Sequence, residues 1–222
     1  MSAQPKIAVK TRLPTTPFPL NTERKPIRTE RLIIRPFSED DLDGIHSLRT
    51  QPEVMKYTAV GRIDANKEET GVFMARFMPP NDVQTYNNII TLASTGELIG
   101  VGGGTSRPES VFGWPEIGYL FKKEYWGQGY ATEFLKAWLN DWWTLPRSEI
   151  ETQVDGQSVN GVGEVPEMIT AFIEESNTGS RRVLEKAGFR EFKQWSEPDS
   201  RDGYGRQVTL VGFVLSSPDS KS

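Results

Sequence analysis

The sequence predicts one α/β or α+β domain whose strands form a mixed sheet. Two observations carry this prediction. Segments with strand character alternate with amphipathic helical segments along the body of the chain, and one strand passes through a glycine turn directly into a long patterned helix. The length of 222 residues fits a single domain with tails, and a domain of this size buries most of its unfolded surface.

Composition excludes several kinds of protein. The chain has no cysteine, which rules out disulfides, a thiolate nucleophile and thiolate zinc sites, and its one histidine, His46, rules out a His-rich metal site. We therefore expect no metal. The net charge of −4, from 26 basic and 30 acidic residues, gives no footprint for nucleic acid. No apolar run approaches the ~20 residues of a membrane span, so we expect a cytoplasmic protein that binds neither nucleic acid nor membrane.

The chain divides into an arm, a body and a tail. Residues 1–26 are rich in proline and predict an extended arm, because proline excludes regular helix there. Residues 27–215 form the body, and residues 216–222 are expected to be a flexible tail. Within the body, residues 144–167 form a glycine-rich insertion. A segment of this kind is either a surface loop or a functional cover or interface, and the sequence leaves both open.

The body begins with a strand at residues 31–35, which Pro36 ends. Acidic residues then open a helix at Ser38–Thr50, since carboxylates favour the positive end of a helix. The later predicted elements, in order, are a helix at 66–77, a hairpin of 88–93 and 98–102, a strand at 116–121, a helix to 143, a strand at 168–173, a helix at 177–187 ended by Gly188, and strands near 192–195 and 208–215.

The segment Trp126–Ala131, which reads Trp-Gly-Gln-Gly-Tyr-Ala, carries the clearest chemical signal. Glycine lets the backbone approach a ligand, and the first N–H groups of the following helix have no intrahelical partner. Together they form a site suited to phosphate. The segment is neither a P-loop nor a full dinucleotide fingerprint. An ordinary tight turn between a strand and a helix has the same pattern, so this segment alone does not decide the matter.

A second signal lies at Asn177–Phe189, where a strand passes into a helix. Asn177 is well suited to cap that helix. Ser180 lies one turn further, on the side predicted to face the sheet. Each feature is unspecific by itself.

Three segments in this order resemble one family. Residues 116–133 are similar to motif A of the GNAT N-acetyltransferase superfamily, and the later run Asn177–Phe189 resembles its second signature. Thr29–Arg35 looks like its opening strand. The closest likeness is to the branch typified by ribosomal-protein N-terminal acetyltransferases. The resemblance implies the GNAT fold, a mostly antiparallel central sheet of about seven strands flanked by about four helices.

The resemblance also implies a site for acetyl-coenzyme A (acetyl-CoA) as co-substrate. The pantetheine arm would lie where the motif strand splays from its neighbour, and the turn would hold the pyrophosphate through backbone N–H groups. Trp126 stands where the wider superfamily usually has Arg or Gln. Arg182 or Lys186 would reach the 3′-phosphate. The expected cofactor contacts are Tyr119, Phe121, Trp126, Gly127, Gln128, Gly129, Tyr130, Ala131, Asn177 and Ser180.

The implied reaction is direct attack of a primary amine on the acetyl thioester in a ternary complex. The acceptor is a protein N-terminus or a small-molecule amine. The expected catalytic groups are Glu116 as base, the backbone N–H of Tyr119 at the thioester carbonyl, and Ser180 near the departing sulfur. Two alternatives remain open: a non-catalytic acyl-CoA-binding sensor or scaffold, and a general nucleotide-phosphate binder. Either a monomer or a homodimer fits the sequence.

Overall fold

The computed structural model describes residues 6–105, 110–161, 163–202 and 205–218. Two compact units divide the chain. The first unit takes its described residues from Met1–Thr15, Thr105–Ile117 and Leu145–Ser222, and the second from Thr16–Gly104 and Gly118–Thr144.

Strands and helices are numbered in chain order. In the described part of the chain the eleven strands are β1 (Lys6–Pro14), β2 (Ile27–Arg28), β3 (Leu32–Arg35), β4 (Tyr86–Leu92), β5 (Leu98–Thr105), β6 (Glu116–Phe121), β7 (Arg147–Asp155), β8 (Gly163–Glu164), β9 (Met168–Glu174), β10 (Arg190–Pro198) and β11 (Gln207–Ser216). The five α-helices there are α1 (Leu42–Arg49), α2 (Pro52–Met55), α3 (Lys67–Ala75), α4 (Tyr130–Trp142) and α5 (Thr178–Lys186).

The second unit contains a sheet with the strand order β6-β5-β4-β3-β2, in which β6 takes part from residue 118 onward. The predicted hairpin is confirmed as β4 and β5, with Ile89 opposite Val101. Both of these side chains are buried in one cluster with Ile45 and Leu48 of α1. Helix α1 therefore covers this face of the sheet.

Helix α4 covers the opposite face of the same sheet. Gly102 makes this possible, because a Cβ at that position would lie 2.7 Å from the ring of Phe134. Further along the helix, the indole N–H of Trp138 donates to the carbonyl of Tyr86 at 3.1 Å, and Trp138 stacks on Trp142 with 4.9 Å between ring centroids. The residues that this helix buries are Phe134, Leu135, Trp138, Leu139 and Trp142, which recur at three- and four-residue steps along one face.

The first unit contains β10, β11 and β9 in that order, with Glu116 of β6 next to β9. All pairings here are antiparallel except that of β6 with β9, which is parallel and joins Glu116 to Thr170. Helix α5 lies on one face of this sheet, where Arg181 covers the ring of Phe213 at 5.5 Å.

A separate three-stranded sheet in the first unit has the order β7-β1-β8. Strand β1 pairs with β7 in antiparallel register from Lys6 opposite Asp155 to Pro14 opposite Arg147. Val9 of β1 is 1% exposed and packs in the core of the unit. Residues 6–14 of the predicted arm are thus extended as β1, and their partner strand comes from the segment predicted as an insertion.

The predicted fold class is confirmed. In the described residues, β6 and the strands linked to it by pairing number eight, where about seven were expected. The described residues contain five α-helices, where about four were expected. The additional elements are short, since β2 has two residues and α2 has four. Residues 219–222 of the predicted tail lie outside the described residues. No helix in the described residues is long and apolar enough to cross a membrane.

Candidate active site

The turn before α4 has the backbone conformation that its glycines allow. Gly127 has a φ of 73° and Gly129 a φ of 86°, both in the left-handed region, and α4 begins at Tyr130. None of the backbone N–H groups from Gly127 to Ala131 donates to an acceptor within the described residues. These donors lie at the positive end of a helix of 13 residues, which is the arrangement that binds phosphate.

Two side chains of the turn are tied back to the chain that precedes it. The indole N–H of Trp126 donates to the carbonyl of Phe121 at 2.7 Å. The side-chain amide of Gln128 donates to the carbonyl of Glu124 at 2.8 Å. Because both side chains are held in this way, the turn presents its backbone to solvent. This agrees with the expectation that the turn binds phosphate through its backbone N–H groups.

Arg31 lies against the turn, and the sequence analysis did not identify it as a site residue. Arg31 donates to the carbonyl of Gln128 at 3.0 Å and, through Nε, to Glu133 at 2.7 Å. Its guanidinium covers the ring of Tyr130 at 4.4 Å. Thr29 donates to the same carboxylate at 2.6 Å. Although burial alone would raise the pKa of Glu133, the hydrogen bonds from Thr29 and Arg31 hold it below its usual value.

Tyr119 and Phe121 lie on β6, the strand that leads to the turn. Their rings meet edge to face with centroids 6.3 Å apart, and the Tyr119 ring meets Phe134 of α4 at the same distance. These contacts fix the strand on α4 within the second unit. The expected roles of Tyr119 and Phe121 in cofactor binding depend on their backbone groups. The ring contacts do not test those roles, which therefore remain predictions.

Glu116 belongs to the first unit, where it pairs with Thr170 of β9. Thr170 is fully buried, and on its other side it pairs with the buried Val214 of β11. Within the described residues the carboxyl group of Glu116 has no hydrogen-bond or ion-pair partner. Burial raises its pKa to about 7. A carboxyl group with this pKa exchanges its proton near neutral pH, as a general base must.

Asn177 is the cap of α5, as predicted, and its side chain has a further capacity. Its carbonyl oxygen accepts from the backbone N–H of Ser180 at 3.1 Å. Its amide N–H₂ group has no acceptor in the described part of the chain. Capping and ligand binding therefore use different atoms of one side chain. Ser180 is partly buried, while Arg182 and Lys186 are exposed.

The expected site residues fall into two groups. Tyr119, Phe121 and the turn Trp126–Ala131 lie in the second unit, whereas Glu116, Asn177 and Ser180 lie in the first. Among the described residues, no group of three or more His, Asp or Glu side chains is arranged to hold a metal ion.

Residues 31–190 match the sequence profile of the acetyltransferase (GNAT) domain. The chain belongs to the GNAT acetyltransferase family. It is 28% identical over 145 residues to the "Uncharacterized N-acetyltransferase p20" of Bacillus licheniformis. The matched residues make up 60% of this chain and 75% of that relative. The superfamily indicated by the three sequence segments is therefore confirmed.

Solved structures show the same fold. A GNAT-family acetyltransferase from Bacillus anthracis matches with a TM-score of 0.65 and 23% identity, covering 86% of this chain and 98% of that one. A spermidine N-acetyltransferase from Vibrio cholerae, in complex with CoA and spermine, matches with a TM-score of 0.62 and 17% identity, covering 85% of this chain and 96% of that one.

Proposed function

We propose that this GNAT protein transfers the acetyl group of acetyl-CoA to a primary amine, either a protein N-terminus or a small-molecule amine. The observation that carries the proposal is the turn at Gly127–Ala131, whose backbone N–H groups have no acceptor in the described residues, in a chain that matches the GNAT domain. The similar spermidine N-acetyltransferase was solved with CoA, which supports coenzyme A as the carrier.

The cofactor contacts proposed are those that the family motif implies. The N–H groups of the turn hold the pyrophosphate, and the backbone of Phe121 and the free amide group of Asn177 bind the pantetheine. The backbone N–H of Tyr119 points to the thioester carbonyl. Negative charge builds on that oxygen during attack, and a fixed donor there contributes about 3 kcal/mol.

The chemical step is a direct displacement. The amine nitrogen bonds to the acetyl carbon while negative charge builds on the carbonyl oxygen. The carbon–sulfur bond then breaks, the nitrogen's extra proton passes to the departing sulfur, and no acyl-enzyme forms. An amine is mostly ammonium near neutral pH, so a base must first take its proton. Glu116 is the proposed base because its carboxyl group has a pKa of about 7 and no cation holds it ionised in the described residues.

The departing thiolate also needs a hydrogen bond or a proton. Ser180 is the proposed contact, since it lies in the first turn of α5, three residues beyond the pantetheine-binding Asn177. A serine hydroxyl orients a proton better than it supplies one. Ser180 is therefore a cofactor contact first and an acid second.

Two measurements test the proposal. Isothermal titration should show binding of acetyl-CoA but weaker binding of ATP and NAD, because only the first carries pantetheine. Incubation with acetyl-CoA and a panel of amines and peptides should release thiol with at least one acceptor. Equal affinity for all three ligands would favour a general nucleotide-phosphate binder. Selective binding without turnover across the panel would favour a sensor or scaffold.

A further inference from the structure

We propose that Arg31 is a phosphate-binding residue of the coenzyme A site and supplies the positive charge that position 126 lacks. This inference rests on the proposed function, because it concerns the same turn. Trp126 has no charge to offer, and its indole N–H is already bonded to Phe121. A cation that assists the backbone N–H groups of the turn would therefore come from another part of the chain.

Arg31 reaches it from the segment that precedes β3. Its NH1 donates to the carbonyl of Gln128, at the centre of the turn, at 3.0 Å. Its NH2 lies 3.4 Å from the position that a Cβ of Gly129 would occupy. The guanidinium is thus in van der Waals range of the backbone that would hold the pyrophosphate.

The guanidinium has donors to spare. Nε donates to Glu133 at 2.7 Å, NH2 forms an ion pair with the same carboxylate oxygen at 2.6 Å, and NH1 donates to Gln128. A guanidinium carries five N–H groups, so one on NH1 and one on NH2 are not used by these bonds. The side chain is 41% exposed, so part of it is accessible to a ligand from solvent. A planar guanidinium with unused N–H donors suits phosphate oxygens.

The negative charge of Glu133 gives a reason for an arginine beside the proposed phosphate site. Its carboxylate lies in the first turn of α4, where it complements the helix dipole but would repel a bound phosphate. Thr29, the backbone N–H of Arg31 and its guanidinium all donate to this carboxylate. Arg31 thus offsets this repulsion and places its positive charge beside the turn, and Glu133 in turn fixes the orientation of the guanidinium. Glu133 is a positioning residue in this arrangement.

The experiment compares ligands that differ in phosphate content. Arg31→Gln removes the charge, and Arg31→Lys keeps the charge but loses the fork. Arg35→Gln is the matched control, because Arg35 makes a similar two-point ion pair with Asp41 at 2.9 Å and 2.6 Å. Dissociation constants are measured by titration for CoA and 3′-dephospho-CoA, and by competition for pantetheine.

In Arg31→Gln we expect the dissociation constants of CoA and 3′-dephospho-CoA to rise about tenfold to a hundredfold, with that of pantetheine unchanged. Arg31→Lys should give a smaller rise with the same ligand selectivity, and it decides the matter if Arg31→Gln does not fold. Arg35→Gln should bind all three ligands like the wild type. An equal rise for pantetheine, or a rise below threefold for CoA, would overturn the inference. Failure of the wild type to bind CoA would instead overturn the proposed function, and the role of Arg31 with it.

Discussion

Replacing Glu116 by Gln should make the folded chain more stable at alkaline pH, although it removes the proposed catalytic base. Burial raises the pKa of Glu116 from 4.5 to about 7, so the folded chain keeps this proton where the unfolded chain has lost it. By linkage, the stability that depends on this group falls as pH rises from about 4.5 to 7 and stays low above 7. Glutamine cannot ionise, so the variant escapes that loss.

The magnitude follows from the pKa difference. At 1.36 kcal/mol per pKa unit, a shift from 4.5 to about 7 corresponds to about 3 kcal/mol. The side chain is only partly buried, and solvent screening lowers the effect, so we expect about 2 kcal/mol at pH 8.5. At pH 4.5 the difference attributable to ionisation should be below about 0.5 kcal/mol.

Urea unfolding followed by tryptophan fluorescence measures both values, since the chain has six tryptophans. Glu185→Gln is the control, because Glu185 is exposed on α5 and should show no comparable pH-dependent gain. If Glu116→Gln changes the free energy of unfolding equally at pH 4.5 and pH 8.5, the carboxyl group is not desolvated. The basis for its raised pKa would then be wrong.

Four other predictions concern activity and packing. The kcat/KM for acetyl transfer should rise with pH through about 7, as the Glu116 carboxyl ionises, and Glu116→Gln should lower kcat by about 10²-fold or more; an unchanged pH profile would exclude this base. Asn177→Ala should lower the free energy of unfolding by about 1 kcal/mol and weaken acetyl-CoA binding in titration. Asn177→Asp keeps the helix cap, so it should weaken acetyl-CoA binding without lowering stability. Gly129→Ala should cost about 1–2 kcal/mol in urea unfolding because its φ is 86°, while Gly118→Ala, with open space at its Cβ, should be neutral. Val9→Ala should cost about 2 kcal/mol in the same assay, and a value near zero would mean that β1 does not belong to the core.

Local signals predicted much of the fold. Ser38 bonds through its backbone N–H to Asp41 at 2.8 Å in a capping box, which is why the acidic run marks a helix start. Gly188 has a φ of 94°, as expected for a residue that ends a helix. Such features depend on neighbours in sequence, so pattern reasoning finds them.

Long-range pairings were not predictable in the same way. The register that joins Lys6 to Asp155 has no local signature, because it matches two segments far apart in the chain. The proline content of the arm predicted extended backbone but could not specify a partner. Likewise Arg31 and Glu133 each lie in a motif segment, yet only the folded chain brings them within 2.6 Å.

One physical signal for the arginine was present in the sequence. An acid at position 133, in the first turn of a helix expected to bind phosphate, helps the helix but opposes the ligand. That conflict implies a nearby cation, and Trp126 is not one. Weighing the two electrostatic effects together would have directed attention to the basic residues of the opening segment.

The pairing of β1 with β7 also decides how the insertion can be tested. Deleting residues 144–167 removes the only described antiparallel partner of β1 and exposes the core around Val9, so lost activity would follow from unfolding alone. Exposed positions of β7 avoid this problem, and these include Glu149, Ile150 and Glu151. Substitution there changes the surface of the insertion while keeping the ladder intact. A change in acceptor KM or in oligomeric state caused by such a variant would therefore report on function separately from folding.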